Sequence, residues 1–182
     1  MDRVIRLYVS SSPDLEAERE ALGRAVAALP VSLGWEIRHT PLTGEPEGDS
    51  LSFVASCDLF VVLLGADFAA PMGSEWQEAR RHRRATLAFS KRVSRSPSAL
   101  WAFYQKGVEW QLFASPAELE RLLLRRLARA LLDHGERLGL NLKDVERLVA
   151  LLEEEAEEET GGTKEPDRRS GAGRSGIILG RR

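Results

Sequence analysis

The run Asp58-Leu-Phe-Val-Val-Leu-Leu64 constrains this chain more than any other segment. After the aspartate, six apolar residues follow without a polar position that could face water. A strand with this unbroken pattern is buried on both faces, which is the mark of a central strand in a parallel sheet. Parallel strands need crossover helices between them, so the flanking sequence should alternate strand and helix.

It does. Residues 4–9 (VIRLYV) predict a first strand that ends in Ser10-Ser11-Ser12-Pro13. Ser12 reads as a helix N-cap, Pro13 as the first helical residue, and Asp14 and Glu16 as first-turn acids. Leu15, Leu22, Ala25, Val26 and Leu29 then recur at helical spacing as far as Pro30. Residues 33–39 predict a second strand, 41–48 a loop and 50–57 a short helix. Beyond the central strand at 58–64 and a loop at 65–73, a helix is expected over 74–84 and a strand over 86–89. A helix over 97–106, a strand over 108–113 and a long helix over 116–134 complete the series. The leucines at 119, 122, 123, 127, 131 and 132 form one stripe on that last helix. Such alternation predicts an α/β fold: a doubly wound, mainly parallel, five-stranded flavodoxin-like sheet with a C-terminal helical appendage.

Composition removes several alternatives. At 43% hydrophobic and 30% charged, the 182 residues can build a core, and length favours a single domain. The single cysteine, Cys57, excludes an intramolecular disulfide framework. His39, His82 and His134 show no metal-ligand spacing, so no metal site is expected. No apolar window is long enough to span a bilayer, and no signal-peptide core precedes the first strand, so the expected address is cytoplasmic. A net charge of −2 gives no general reason to expect nucleic acid as a partner.

The chain divides into three stretches. Residues 1–135 are expected to form the α/β domain and 136–159 a helical appendage. Residues 160–182, rich in Gly and Arg, are expected to be a disordered tail. Asn141 reads as the cap of the appendage helix, and Leu142, Val145, Leu148, Val149 and Leu152 make a narrow apolar stripe along it. Such a stripe either folds back onto the domain or pairs outward, with a partner or a second copy of the chain.

In open parallel sheets, ligands bind beyond the carboxyl ends of the strands, near the point where strand order reverses. Here those ends carry Ser10, Ser11, Ser12 and Asp14 on one side, Gly65 and Asp67 on another, and Ser74, Glu75 and Trp76 at a helix start. The serines offer hydroxyls and helix-start amides suited to a phosphate or ribose, although capping accounts for them equally. A carboxylate at Glu75 can hold ribose hydroxyls or stabilise an oxocarbenium-like centre. Its alternative role is to complement a helix dipole. Trp76 is either a stacking platform or a core residue. The basic run Arg80-Arg81-His82-Arg83-Arg84 either grips a pyrophosphate or neutralises a helix C-terminus. Cys57 reads as a buried structural thiol.

These residues also resemble a family. Ile5-Arg-Leu-Tyr-Val-Ser-Ser-Ser12 followed by Asp14-Leu15-Glu16-Ala17-Glu18-Arg19 is similar to the opening of a bacterial TIR-like domain of unknown function, with its "VFVSS" strand and "DLxxER" helix start. Cys57-Asp58-Leu-Phe-Val-Val-Leu-Leu-Gly65 resembles its "xDVFVxLLG" strand, and Ser74-Glu75-Trp76-Gln77-Glu78-Ala79 its "TExEYxEA" helix. One departure is Arg83-Arg84-Ala85, where the family usually reads "GKP". The resemblance covers about residues 4–133. It implies a fold akin to TIR domains and nucleoside deoxyribosyltransferases, and a place in bacterial signalling or conflict systems. Those relatives place a glutamate eleven residues before the fourth strand, and counting back from Thr86 reaches Glu75, which the resemblance makes the candidate catalytic residue. The implied activity is cleavage of an N-glycosidic bond in NAD or a nucleoside, with the nucleotide as substrate and no resident cofactor. A non-catalytic assembly module, working through protein partners or self-association, is the alternative.

Overall fold

The structure, a computed structural model, describes residues 3–41 and 49–161, with side chains as far as 157. Thr160 and Gly161, expected to begin the disordered tail, close the last helix instead. The rest of that tail, and most of the loop expected over 41–48, lie outside the described residues.

Five strands form one parallel sheet: β1 (Val4–Ser11), β2 (Gly34–His39), β3 (Leu59–Leu64), β4 (Ala85–Lys91) and β5 (Trp110–Phe113). Their spatial order is β2-β1-β3-β4-β5. This is the flavodoxin-like doubly wound order, in which the chain turns back between β1 and β3. Every residue of β3 is buried, as its unbroken apolar run requires. The helices are α1 (Glu16–Ala28), α2 (Ser50–Ser56), α3 (Ala70–Arg81), α4 (Pro97–Phe103), α5 (Pro116–Asp133), α6 (Gly135–Leu138) and α7 (Leu142–Gly161). Leu7, Val9, Leu59, Val61, Leu63 and Phe89 face α1 and α5 across one layer. Tyr8, Phe60, Val62 and Ala88 face α2 and α3 across the other. The alternation follows from the period of two along a strand.

Several boundaries differ from the sequence expectation. Helix α1 starts at Glu16 rather than Pro13, because the Ser12 hydroxyl is committed elsewhere: it accepts from the Gly65 amide (2.9 Å) and donates to the Asp67 carbonyl (2.5 Å). Helix α3 begins at Ala70, four residues before Ser74, with a proline in its first turn. Glu75 is therefore in the second turn, where the dipole role proposed for a first-turn acid no longer applies. Helix α4 stops at Phe103 and β5 starts only at Trp110. The appendage helix α7 folds back. Leu138 and Leu148 are fully buried in the α1/α5 core, and Leu140, Leu151 and Leu152 pack against it. The buried Asp144 carboxylate accepts from the Ser32 amide and hydroxyl and from Asn141 Nδ2, which ties α7 to the α1–β2 turn.

Arg83 has a positive φ of 50°. It sits in the reversal after α3, where the Arg84 amide reaches back to the Ala79 carbonyl (2.9 Å). A left-handed backbone costs a non-glycine residue about 1–2 kcal/mol. Arg83→Gly should stabilise the domain by roughly 0.5–1 kcal/mol. Chemical denaturation would show an unchanged slope and a higher midpoint.

Cys57 is fully buried between α2 and the sheet, and burial pushes its thiol from 9.0 up to about 11, against the pull of the Arg84 charge. The folded thiol thus keeps its proton to higher pH than the unfolded one. Stability is fully present below about 9 and is lost as pH rises toward 11. The decline should reach no more than about 2–3 kcal/mol. Melting temperature measured across this range should fall, and fall less in Cys57→Ala.

Candidate active site

The period of two along β1 puts Tyr8 and Ser10 on the α3 side of the sheet, and Val9 and Ser11 on the other. Opposite Tyr8 and Ser10, the second turn of α3 supplies Glu75, which is only 2% exposed. Three hydroxyls donate to its carboxylate. Tyr8 Oη reaches Oε1 at 2.7 Å, while Ser10 Oγ (2.6 Å) and Thr40 Oγ1 (2.8 Å) share Oε2. Thr40 follows the end of β2, and its own hydroxyl accepts from the Ser11 amide at 3.1 Å. The ends of β1 and β2 and the helix after β3 are thereby joined at one carboxylate. Burial, and then the neighbouring charge of Glu75, push the Tyr8 hydroxyl far above its usual range, so the phenol remains a hydrogen-bond donor.

Glu75 also lines a cavity of about 230 Å³ at the carboxyl edge of the sheet. Pro41, Ser50, Leu51 and Ser52 form one side, and Ala70, Pro71 and Ser74 the other. An acid held from behind by hydroxyls and facing a cavity is oriented before any ligand arrives, which is the arrangement that stabilises developing charge.

The remaining residues singled out in the sequence have other placements. The Ser11 side chain points to the opposite face and accepts from Arg19 at 3.4 Å. Ser12 binds Gly65 and Asp67, as described above. Asp14 is exposed and accepts from the Ala66 amide (3.1 Å). A Cβ at Gly65 would lie 2.5 Å from the Asp14 carboxylate, so a larger residue there would displace that side chain. Asp67 accepts from Ser96 (2.6 Å), Ser98 (2.8 Å) and the Phe68 amide, and the two serine hydroxyls first hold its carboxyl below the usual range. Ser12, Asp14, Gly65 and Asp67 thus brace the loop crests. Trp76 points away from Glu75 into the core, stacked on Trp110 with ring centres 5.6 Å apart. In the basic run, Arg81 and His82 bond Glu78, and Arg84 bonds the Cys57 carbonyl, at the amino edge of the sheet.

Two residues of the site went unread in the sequence, Tyr8 and Thr40. Tyr8 was readable in part, because it lies two positions before Ser10 and must share its face. Thr40 was not, because only the strand order brings the end of β2 beside β1.

No protein-family model matches the chain, and no curated protein matches it. Among solved structures, the apo form of an NADH:FMN oxidoreductase aligns with 79% of this chain and 94% of that chain, at 14% identity and a TM-score of 0.39.

Proposed function

We propose that the protein cleaves an N-glycosidic bond of a nucleoside or of NAD, with Glu75 as the catalytic carboxylate. The observation that carries this reading is the buried Glu75 carboxylate, held by Tyr8, Ser10 and Thr40 and lining a cavity at the carboxyl edge of the sheet. The cavity, about 230 Å³, falls below the usual range for a whole drug-sized ligand, so it suits a ribose ring better than an entire dinucleotide. Ribose hydroxyls would donate to the carboxylate, in the manner that Ser10 and Thr40 already do. As the C1′–N bond breaks, the base leaves with the bonding pair and positive charge develops on the sugar. A carboxylate fixed beside that sugar stabilises the charge without having to reorganise. Water then bonds to C1′ and loses a proton, which goes to the departing nucleobase anion or, where the base leaves neutral as nicotinamide does, to solvent. The products are free base and ribose from a nucleoside, or nicotinamide and ADP-ribose from NAD. Resemblance to bacterial TIR-like domains over residues 4–133 supports the same chemistry and a role in signalling or conflict systems.

The experiment is to incubate the purified protein with NAD and with a panel of nucleosides, then separate and quantify free base. Release of nicotinamide or a nucleobase above the rate without protein is the expected result. A second reading, an assembly module without catalysis, draws on the face of α4, where Trp101 is 60% and Tyr104 75% exposed. No base release, together with self-association that Trp101→Ala abolishes, would favour that reading.

A further inference from the structure

A second cavity, about 310 Å³, opens on the other side of α3. Strand β5 pairs with β4 only from Ala88 onward, so the edge of β4 before Ala88 has no strand beside it there. Into that gap come Arg80 from α3 and Arg126 from α5, two helices that belong to opposite layers of the sheet. Phe60, Trp76, Ala88 and Val108 form an apolar floor, and Glu109 adds a carboxylate to the lining. Among the described residues, no carboxylate lies within ion-pair distance of Arg80 or Arg126.

Two arginines that line one cavity from separate elements give it a positive potential that an anion would neutralise. A guanidinium fork matches carboxylate and phosphate oxygens, and it binds them best where water is partly excluded. The floor contributes a different selectivity, because an indole beside apolar side chains favours a flat ring. Glu109 leaves the lining with one net positive charge, which suits a single anionic group and disfavours an oligophosphate. The volume falls within the range of small-molecule sites. We propose that this cavity is a second ligand site that takes a small ring-bearing anion. Arg80 and Arg126 hold its phosphate or carboxylate, and the Phe60–Trp76 floor takes the ring. Glu75 and Ser74 face the first cavity from the same helix, so the two sites are distinct.

Tryptophan emission reports on the site directly, since Trp76 lines it and Trp110 stacks on Trp76. The full chain is titrated with phenyl phosphate, benzoate, inorganic phosphate and benzyl alcohol. Phenyl phosphate or benzoate should give a saturable change and bind at least about 10-fold tighter than inorganic phosphate and benzyl alcohol. Whichever of the two binds tighter identifies the anionic group. Arg80→Gln and Arg126→Gln should each weaken that binding by about 10-fold or more. Arg81→Gln, whose guanidinium bonds Glu78 at 3.2 Å and does not line the cavity, should not. Should Arg126→Gln fail to fold, Arg126→Lys keeps the charge, lacks the fork, and must still weaken binding. No saturation by either ring-bearing anion up to about 10 mM would overturn the proposal. Equal binding of benzyl alcohol or inorganic phosphate would overturn it, and so would an equal loss in Arg81→Gln.

Discussion

Glu75→Gln should lower base release by at least about 100-fold while leaving the domain folded, and Glu75→Ala should damage both. The two substitutions separate the charge of the residue from its place in the packing. Glutamine keeps the shape. Its amide oxygen can still accept from Ser10 and Thr40, and its NH2 group can donate to the Tyr8 oxygen in a reversed bond, so that the phenol proton must turn to another acceptor. The stability cost should be at most about 1.5 kcal/mol, the difference between charged and neutral hydrogen bonds. Alanine leaves three buried hydroxyls without this acceptor, at about 1–3 kcal/mol for each one that water does not reach. A total of roughly 3 kcal/mol corresponds to a melting temperature lower by roughly 10 °C for a chain of this size. Base release and thermal unfolding, measured on the same three proteins, check both halves. Full turnover in a folded Glu75→Gln protein would remove Glu75 from the chemistry and leave it as a structural pin between β1, β2 and α3.

Ending the chain at Asp133 should have an effect of similar or larger size, and on stability alone. Leu138 and Leu148 are fully buried against α1 and α5, and each contributes about 1.5–3 kcal/mol by leaving water. Removing them also uncovers Leu132 and part of the α5 leucine stripe. The Ser32 amide and hydroxyl lose their acceptor, Asp144, at a further cost of about 1–3 kcal/mol. The sum, roughly 5 kcal/mol or more, is comparable with the whole stability of many domains. The shortened chain should therefore be unfolded or aggregated near 37 °C. Circular dichroism and denaturant titration provide the measurement. Leu148→Ala alone should cost about 2–5 kcal/mol. A shortened protein as stable as the longer one would mean that α7 merely rests on α5.

What could be read in the sequence was whatever depends on near neighbours. The unbroken run from Leu59 to Leu64 specified a strand buried on both faces, and β3 is in the middle of the sheet with every residue covered. Strand and helix alternated as their periods of two and 3.6 indicated, because each period is a property of the backbone and needs no distant partner. The same rule, applied strictly, would have separated Ser10 from Ser11, since adjacent strand residues face opposite layers. Helix starts were less legible. Ser12 has the side chain of an N-cap, yet its hydroxyl bonds Gly65 and Asp67, more than fifty positions away, and α1 waits until Glu16. A local cap and a distant partner compete for one oxygen, and only the folded arrangement decides between them.

Tertiary structure alone decided the site. Glu75 stood out as an acid near a helix start, but its neighbours Tyr8, Ser10 and Thr40 come from 67, 65 and 35 positions away. They meet because β1 lies between β2 and β3, an order that the pattern of apolar residues does not encode. The outcome for α7 has the same origin. An apolar stripe predicts that something will cover it; its own domain covers Leu148 and packs against Leu152, while Leu142 and Val149 stay exposed. Periodicity assigns each side chain a face, and the packing of whole elements then settles which faces meet.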